Sequence, residues 1–255
     1  MGKAISQIEE IMLVNNVPAY TISNENQRWA TQVIPNVKSV LTVAGSGDQA
    51  LFYKLSGAKI IDTYDITCNA RVIQDVKCAM IKHLDLYDYK ELLVRLHRAD
   101  GNEMHFLLND LLRVLPDETL EIIENNKNSM IFGCGLDAGY YPENIPDAAE
   151  YEKLKKTLKN PFHFIWSDLE SLSTKLTRKY DLINISNIFD YVANAQKQVD
   201  ILNSLSKRLN KGGRIVYLPQ KTRFSYKKLD LPHLVYEKTL TDNKRTKMIL
   251  LQRTK

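Results

Sequence analysis

The sequence is poor in the residues that build cross-linked or metal-centred folds. It has 3 cysteines in 255 residues, and Cys68, Cys78 and Cys134 lack the spacing of metal ligands. An odd number of widely separated cysteines argues against a disulfide framework or a zinc site. We therefore expect reduced thiols, no bound metal and a cytoplasmic protein.

Long hydrophobic runs and linker-like segments are also missing. No apolar run approaches the roughly 20 residues that a helix needs to cross a bilayer. The first apolar segment contains Glu9 and Glu10, which does not fit a secretory signal. No stretch rich in proline, serine or glycine divides the chain, and 44% of its residues are hydrophobic. This pattern predicts one globular domain, or one domain with an insertion.

Negative charge is scarce near the end of the chain. Residues 205–255 hold 14 lysines and arginines against 3 acids, a net charge of +11, whereas residues 1–204 carry −6. Such a basic segment is suited to an anionic partner, namely nucleic acid, lipid headgroups or a phosphorylated substrate. The alternative is a solvated surface on edge strands, where lysines discourage aggregation.

Segment 40–50 contains a glycine turn between an apolar run and a helical pattern. Residues 39–43 predict a strand, 48–56 a helix, and 59–64 a second strand that ends in Asp65. A glycine turn lets backbone N–H groups approach a ligand, and an acid after the second strand accepts hydrogen bonds from ribose hydroxyls. The pattern therefore predicts nucleotide binding by Ala44, Gly45, Ser46, Gly47, Asp48, Asp65 and Ile66.

Two features of this pattern leave alternatives open. Ala50 stands where the dinucleotide fingerprint has its third glycine or an alanine, so NAD remains a candidate cofactor. The turn is also compatible with a purely structural role, and Asp65 with an N-cap on the helix that begins near Thr67.

Polar residues also follow the next two predicted strands, 161–166 and 180–185. Asp168 follows the first, and Ser186 and Asn187 follow the second. Ligands of open α/β sheets bind at the carboxyl ends of the strands, which predicts that these residues join the site. Asp168 would accept from an adenine amino group, or instead cap the helix at Leu169. Ser186 and Asn187 would hold the cofactor's amino acid end, or the substrate.

Alternating strands and helices predict a parallel sheet with helices on both faces. The chain ends in two strands, 234–240 and 247–253, joined by a turn at 241–244, and such a terminal hairpin is typical of methyltransferase-type domains. We predict an α/β, Rossmann-like methyltransferase fold, with a mostly parallel sheet and a terminal antiparallel hairpin.

We also predict how the chain is divided. Residues 1–36 form a helical lid with helices over 3–15 and 24–33. Residues 37–255 form the binding domain, with a helical insertion at 87–160 lying over the edge of the nucleotide site.

Several of these segments resemble the betaine-lipid synthase type of 3-amino-3-carboxypropyltransferase. The matching residues are 41–51, 64–66, Lys77, Ile81, Leu84, Asp85, Tyr89 and 180–191, within 37–95 and 178–220. The resemblance implies S-adenosylmethionine as cofactor on a methyltransferase-like fold. The glycine turn reads Gly-Ser-Gly instead of the family's Ser-Gly-Gly, and its Asn-Pro pair after the acid is missing. The resemblance therefore concerns the cofactor more than a lipid acceptor.

The sequence therefore predicts an S-adenosylmethionine-dependent transferase, with a methyltransferase acting on a small or anionic acceptor as the first choice. Transfer of the 3-amino-3-carboxypropyl group is the alternative. Ordinary methyltransferases often have an acid near the position of Thr42 that helps hold the cofactor's ammonium group, so here the amino acid tail must be held differently. A non-catalytic nucleotide-binding domain and an NAD-dependent oxidoreductase remain alternatives of other classes.

Few residues near the predicted site suggest acid–base chemistry, which suits attack on a sulfonium. Asp190 and Tyr191, after the fourth strand, are the candidate catalytic residues, with Asp190 as the base or else a surface carboxylate. Aromatic residues would line the substrate side, or else pack the lid against the sheet. These residues are Tyr20, Trp29, Tyr140 and Tyr141.

Overall fold

A computed structural model of the chain describes residues 20–98, 101–125, 142–192, 194–220, 231–241 and 247–254. The helices are α1 (Gln27–Val33), α2 (Asp48–Leu55), α3 (Cys68–His83), α4 (Leu86–Arg98), α5 (Gly101–Leu112), α6 (Asp117–Asn125), α7 (Ala148–Thr157), α8 (Leu172–Lys175) and α9 (Ala195–Ser206). The strands are β1 (Ser39–Val43), β2 (Ile60–Asp65), β3 (His163–Trp166), β4 (Tyr180–Asn184), β5 (Leu209–Tyr217), β6 (Leu234–Thr241) and β7 (Lys247–Arg253). Single 3₁₀ turns lie at Pro142–Asn144 and Ile188–Tyr191.

The strands form one sheet in the order β3-β2-β1-β4-β5-β7-β6. Strands β1 to β5 pair in parallel, whereas β7 is antiparallel to both β5 and β6. This arrangement confirms the predicted Rossmann-like methyltransferase fold with its terminal hairpin. The order reverses between β1 and β4, which creates a crevice at the carboxyl ends of these two strands.

Each face of the sheet is covered by its own hydrophobic core. Side chains alternate along a strand, so that Val40 and Leu182 face one core while their neighbours Leu41 and Ile183 face the other. Helices α2 to α7 cover the first face, and α8 and α9 pack on the second. Coverage of both faces explains why these central strands are almost entirely apolar.

The described part of the helical insertion packs against α3. Helices α5, α6 and α7 all contact it. Every residue of α3 from Cys68 to Ile81 is therefore buried, on all faces of the helix. Tyr151 of α7 fixes this packing by donating hydrogen bonds from its hydroxyl to the Met80 and Leu84 carbonyls, both at 3.2 Å.

Two local features differ from what the sequence suggests. Pro142 and Pro146 indicate irregular chain, but helix α7 follows them, and Asp147 and Glu150 form a capping box at its start. Gly212 and Gly213 suggest the stop of a helix over 194–209, but α9 ends at Ser206 and both glycines lie within β5. A Cβ at Gly213 would lie 2.9 Å from the Asn210 carbonyl oxygen, so the close approach of neighbouring backbone requires glycine here.

Other predicted features lie outside the described residues: the helix over 3–15, the glycine loop over 131–139, and the hairpin turn after Thr241. In the part of the chain that is described, no helix has both the length and the apolar character needed to cross a membrane.

Candidate functional site

A cavity of about 630 Å³ opens at the carboxyl ends of the parallel strands, where the strand order reverses. This volume lies within the range of about 300–1,000 Å³ that is usual for small-molecule sites. Its walls come from the glycine turn after β1, the ends of β2, β3 and β4, and the segment before α1. Of the predicted cofactor residues, the lining includes Gly45, Ser46, Asp65, Ile66, Asp168, Ser186 and Asn187.

The glycine turn is held by a contact between the first two parallel strands. The backbone N–H of Gly45 donates to a carboxylate oxygen of Asp65 at 3.0 Å. The other oxygen of Asp65 accepts from the N–H groups of Ile66, at 2.8 Å, and Thr67, at 3.2 Å. Burial raises the pKa of Asp65 above its ordinary value, and these hydrogen bonds oppose that rise. The oxygen that accepts from Gly45 keeps a second lone pair, so Asp65 retains capacity to accept from a hydroxyl group.

Gly47 allows the turn to lead into α2. Its φ of +80° lies in the left-handed region, and a Cβ there would sit 3.2 Å from the Cα of Gln74 on α3. Replacing Gly47 with alanine is therefore expected to lower the free energy of unfolding by about 1–3 kcal/mol. Urea unfolding should show this loss, with Glu152→Ala on the exposed side of α7 as a neutral control. Equal stability of the Gly47→Ala protein would contradict the strained turn.

Three of the predicted cofactor residues do not line the cavity: Ala44, Gly47 and Asp48. Asp48 is 2% exposed and forms an ion pair with Lys77 of α3, which is fully buried. Its second oxygen accepts from the Ser46 hydroxyl at 2.9 Å and from the Ser23 N–H at 2.7 Å. Asp48 thus fastens both the glycine turn and the chain before α1.

The residue that sequence reasoning missed is Glu25, on the segment before α1. It lines the cavity although its exposure is only 3%. One carboxylate oxygen accepts from the Ser186 hydroxyl at 2.7 Å; the other accepts from the side-chain amides of Gln27, at 2.9 Å, and Gln49, at 3.2 Å. Burial raises the pKa of Glu25 to about 7, which the three hydrogen bonds limit. Nothing in the local sequence marks this glutamate, because Gln49 and Ser186, which hold it at the cavity, are distant in the chain.

The backbone around Glu25 is held by the region before α7. The buried side chain of Asn144 donates to the carbonyls of Ser23, at 3.1 Å, and Glu25, at 2.7 Å, and accepts from the Gln27 N–H at 3.0 Å. Next to it, Arg28 forms an ion pair with Glu150. The described end of the insertion therefore contributes to the site by fixing Glu25, although no described residue of 87–160 lines the cavity.

Ser186 follows β4 in an unusual conformation. Its φ is +50°, which is uncommon for a residue with a side chain. The Asn184 side chain stabilises this turn by accepting the Ser186 N–H at 2.9 Å. The turn directs the Ser186 hydroxyl to Glu25 and brings Asn187 to the cavity wall. Such backbone strain is typical of functional sites.

Asp168 lies between the cavity and the start of α8. It lines the cavity, and one of its oxygens accepts from both the N–H and the hydroxyl of Ser171, at 2.7 and 2.6 Å, where α8 begins. Burial acts to raise the pKa of Asp168, but the hydrogen bonds from Ser171 outweigh it and lower the pKa. Asp168 therefore remains an ionised acceptor at the cavity edge at neutral pH.

The predicted catalytic pair is divided by the structure. Tyr191 lines the cavity and is 70% exposed at its mouth. Asp190 is absent from the lining, and its carboxylate accepts from the Tyr217 hydroxyl and from the Gln220 N–H, the latter at 2.7 Å. These contacts tie the turn after β4 to β5, and the role of Asp190 as a base stays a prediction.

The predicted substrate residues are divided as well. Tyr20 lines the cavity, whereas Trp29 packs against the core beneath α1. Tyr140 and Tyr141 lie outside the described residues. The position of Trp29 follows from its helix, because α1 turns this face toward the core.

The chemistry of the lining fits a nucleotide with a polar tail. Val43, Ala70 and Leu169 provide apolar wall, and the acids Glu25, Asp65 and Asp168 provide separate acceptors. Tyr64 also belongs to the lining, and its buried hydroxyl has no hydrogen-bond partner among the residues that the structure describes. A buried donor without a partner is rare in a folded protein, so a ligand atom is a natural partner for it.

Two further observations concern metal ligands and the basic segment 205–255. Within the described ranges, no three His, Cys, Asp or Glu side chains are grouped as metal ligands would be. In segment 205–255, Arg214 forms a 2.7 Å ion pair with Glu237, and Arg208 donates to the Ser173 carbonyl at 2.8 Å. These two cations are thus used within the fold.

No family model and no curated protein sequence matches the chain. The rRNA methyltransferase aviRa from Streptomyces viridochromogenes has a similar structure, with 13% identity and a TM-score of 0.45 over 86% of this chain and 77% of that chain. An rRNA methylase from Streptococcus thermophilus has 8% identity and a TM-score of 0.40 over 88% and 91%. The N-methyltransferase NodS from Bradyrhizobium japonicum, also solved with S-adenosyl-L-homocysteine, has 8% identity and a TM-score of 0.42 over 90% and 93%. These TM-scores are below 0.5, so nothing about the reaction is inferred from these structures. The fold is assigned from the strand order and pairing described above.

Proposed function

We propose that this protein binds S-adenosylmethionine in the cavity at the strand ends and transfers its methyl group to a small or anionic acceptor. The observation that carries the proposal is the contact between Asp65 and the Gly45 N–H. It places a carboxylate and a glycine turn together on the wall of a cavity at the point where the strand order reverses. Ligands of this sheet type bind at that point.

The order of the polar lining residues along the cavity matches the order of the polar groups along the cofactor. Asp65 accepts hydrogen bonds from the ribose hydroxyls. Asp168, beside the apolar side chains of Ile66 and Leu169, faces the adenine end. Ser186 and Asn187, on the opposite side of the glycine turn, face the amino acid end. The three acids thus act on three different groups of one extended molecule.

The protein contributes to the reaction mainly by positioning the cofactor and excluding water from its methyl carbon, and less by acid–base chemistry. When bound, S-adenosylmethionine supplies an electrophilic methyl carbon on a positively charged sulfur. The apolar walls exclude water around it, and the strained turn at Ser186 holds the polar end in place. The partly exposed Ile66 and Tyr191 border the opening through which an acceptor approaches.

Binding and product measurements test this proposal. Calorimetry on the purified chain should show binding of S-adenosylmethionine and none of NAD, because the sheet ends in the antiparallel β6–β7 hairpin that is typical of methyltransferase-type domains. Incubation with a metabolite extract should then yield S-adenosylhomocysteine. Methylthioadenosine as the only product would replace methyl transfer by transfer of the 3-amino-3-carboxypropyl group. Binding of NAD alone would overturn the proposal, and binding without any product would favour a non-catalytic domain.

A further inference from the structure

Glu25 is a buried carboxylate whose hydrogen-bond partners are all neutral. Its oxygens accept from one serine hydroxyl and two glutamine amides. The described residues place no lysine, arginine or histidine within ion-pair distance of it. By contrast, the buried Asp48 has Lys77 as its cation. Buried charges in proteins are normally paired, so an unpaired carboxylate on a cavity wall is suited to a positively charged ligand group.

The position of Glu25 identifies which part of the ligand it meets. Its hydrogen bond from Ser186 puts it at the end of β4, and that from Gln49 puts it at the first turn of α2. Asp65 and Asp168, which suit the ribose and the adenine, lie on the side of β2 and β3. Glu25 therefore lies at the end of the cavity that the proposed function assigns to the amino acid tail.

Resting on that function, we propose that Glu25 binds the ammonium group of the cofactor's amino acid end, and so replaces the acid that is missing at position 42. The structure links the two positions directly. The Thr42 hydroxyl donates to the side-chain oxygen of Gln49, whose amide group in turn donates to Glu25. Gln49 thus connects the strand position that lacks an acid to a carboxylate supplied by a different part of the chain.

The electrostatics around Glu25 agree with this role. The charge of Asp190 acts on it and further favours its protonated form, whereas Tyr53 of α2 remains neutral because burial raises its pKa. Near pH 7, Glu25 is then partly protonated without ligand. An incoming ammonium group favours the ionised carboxylate, so binding releases a proton. Affinity for a ligand with this group should therefore fall as the pH falls below 7.

The test compares ligands that differ in the tail and in the charge on sulfur. S-adenosylmethionine has both the ammonium group and the sulfonium charge, S-adenosylhomocysteine has the ammonium group alone, and methylthioadenosine has neither. Glu25→Gln keeps the shape of the side chain and removes its charge. We expect it to weaken binding of the first two ligands about 10- to 100-fold, and that of methylthioadenosine less than about threefold.

Glu91→Gln is the matched control, because Glu91 is an exposed carboxylate of α4 that does not line the cavity. It should change each affinity less than about twofold. Equal binding of S-adenosylhomocysteine by wild type and Glu25→Gln would overturn the proposal. A loss confined to S-adenosylmethionine would also overturn it, by assigning Glu25 to the sulfonium. If wild type binds none of the three ligands, the proposed function itself fails.

A second measurement uses wild type only and does not depend on the folding of a variant. Calorimetry at pH 7 in buffers of different ionisation enthalpy should show net release of protons on binding S-adenosylhomocysteine. Methylthioadenosine should release almost none. Equal proton release with both ligands would contradict the assignment of Glu25 to the ammonium group.

Discussion

Replacing Lys77 with methionine is expected to lower the free energy of unfolding by about 3–5 kcal/mol. Lys77 is fully buried in α3, and its ammonium group pairs with Asp48, which is 2% exposed. Removing the cation would leave a carboxylate without a counter-charge in the protein interior. Asp48 also accepts from the Ser23 N–H and the Ser46 hydroxyl, so its protonation would disturb both sides of the cavity as well.

Urea unfolding measures this effect, and two further variants interpret it. Lys90→Met is the control, because Lys90 lies on the exposed side of α4, and it should change stability by less than about 0.5 kcal/mol. Lys77→Met combined with Asp48→Asn should cost less than the sum of the single changes, by about 1–3 kcal/mol. If Lys77→Met alone cost no more than the Lys90 control, the buried pair would be contradicted.

Replacing Asp65 with asparagine is expected to weaken S-adenosylmethionine binding about 10- to 100-fold. A hydrogen bond from a hydroxyl group to a charged acceptor is worth about 1.5–3 kcal/mol, and asparagine lacks that charge. Asparagine also has only one side-chain oxygen. If its NH₂ group faced the Gly45 N–H, two donors would oppose each other, and if its oxygen accepted from Gly45, the NH₂ group would face the ribose. The glycine turn and the ligand would thus compete for one oxygen.

Calorimetry should show the same loss for methylthioadenosine, because this ligand keeps the ribose. That behaviour separates Asp65 from Glu25, whose replacement should affect only ligands with the amino acid tail. Asp168→Asn is the control at the cavity edge, and it should weaken binding less than about tenfold because Asp168 is partly exposed. Unchanged affinity in Asp65→Asn would place the ribose elsewhere.

Much of the fold could be predicted because its signals lie within short windows. The predicted bounds of β1 and α3 are those observed, since an apolar run and a three-to-four spacing are read from neighbouring residues. The terminal hairpin was predicted for the same reason. Helix α7 was missed because the prolines before it suggested irregular chain, although the capping box that starts it is also local.

The two glycines of β5 show where a local signal misleads. Gly212 and Gly213 resemble a helix stop, yet the Cβ clash at Gly213 arises from the carbonyls of Tyr180, Asp181 and Asn210. Two of these belong to β4, so pairing of separate strands decides the role of this glycine. Asp190 is similar, because the Tyr217 hydroxyl that occupies its carboxylate comes from β5.

By itself, the sequence determined the alternation of strands and helices, the glycine turn and the acid at the end of β2. These depend on side-chain periodicity and on the backbone freedom of glycine, which are properties of a few consecutive residues. Only the tertiary structure decided which acids reach the cavity. Asp48 is held away from the cavity by the buried Lys77, and Glu25 is held at the cavity wall by Asn144, Gln49 and Ser186, which are distant in the chain. The reason is that a buried charge must find a partner in three dimensions, and no spacing along the chain specifies which one.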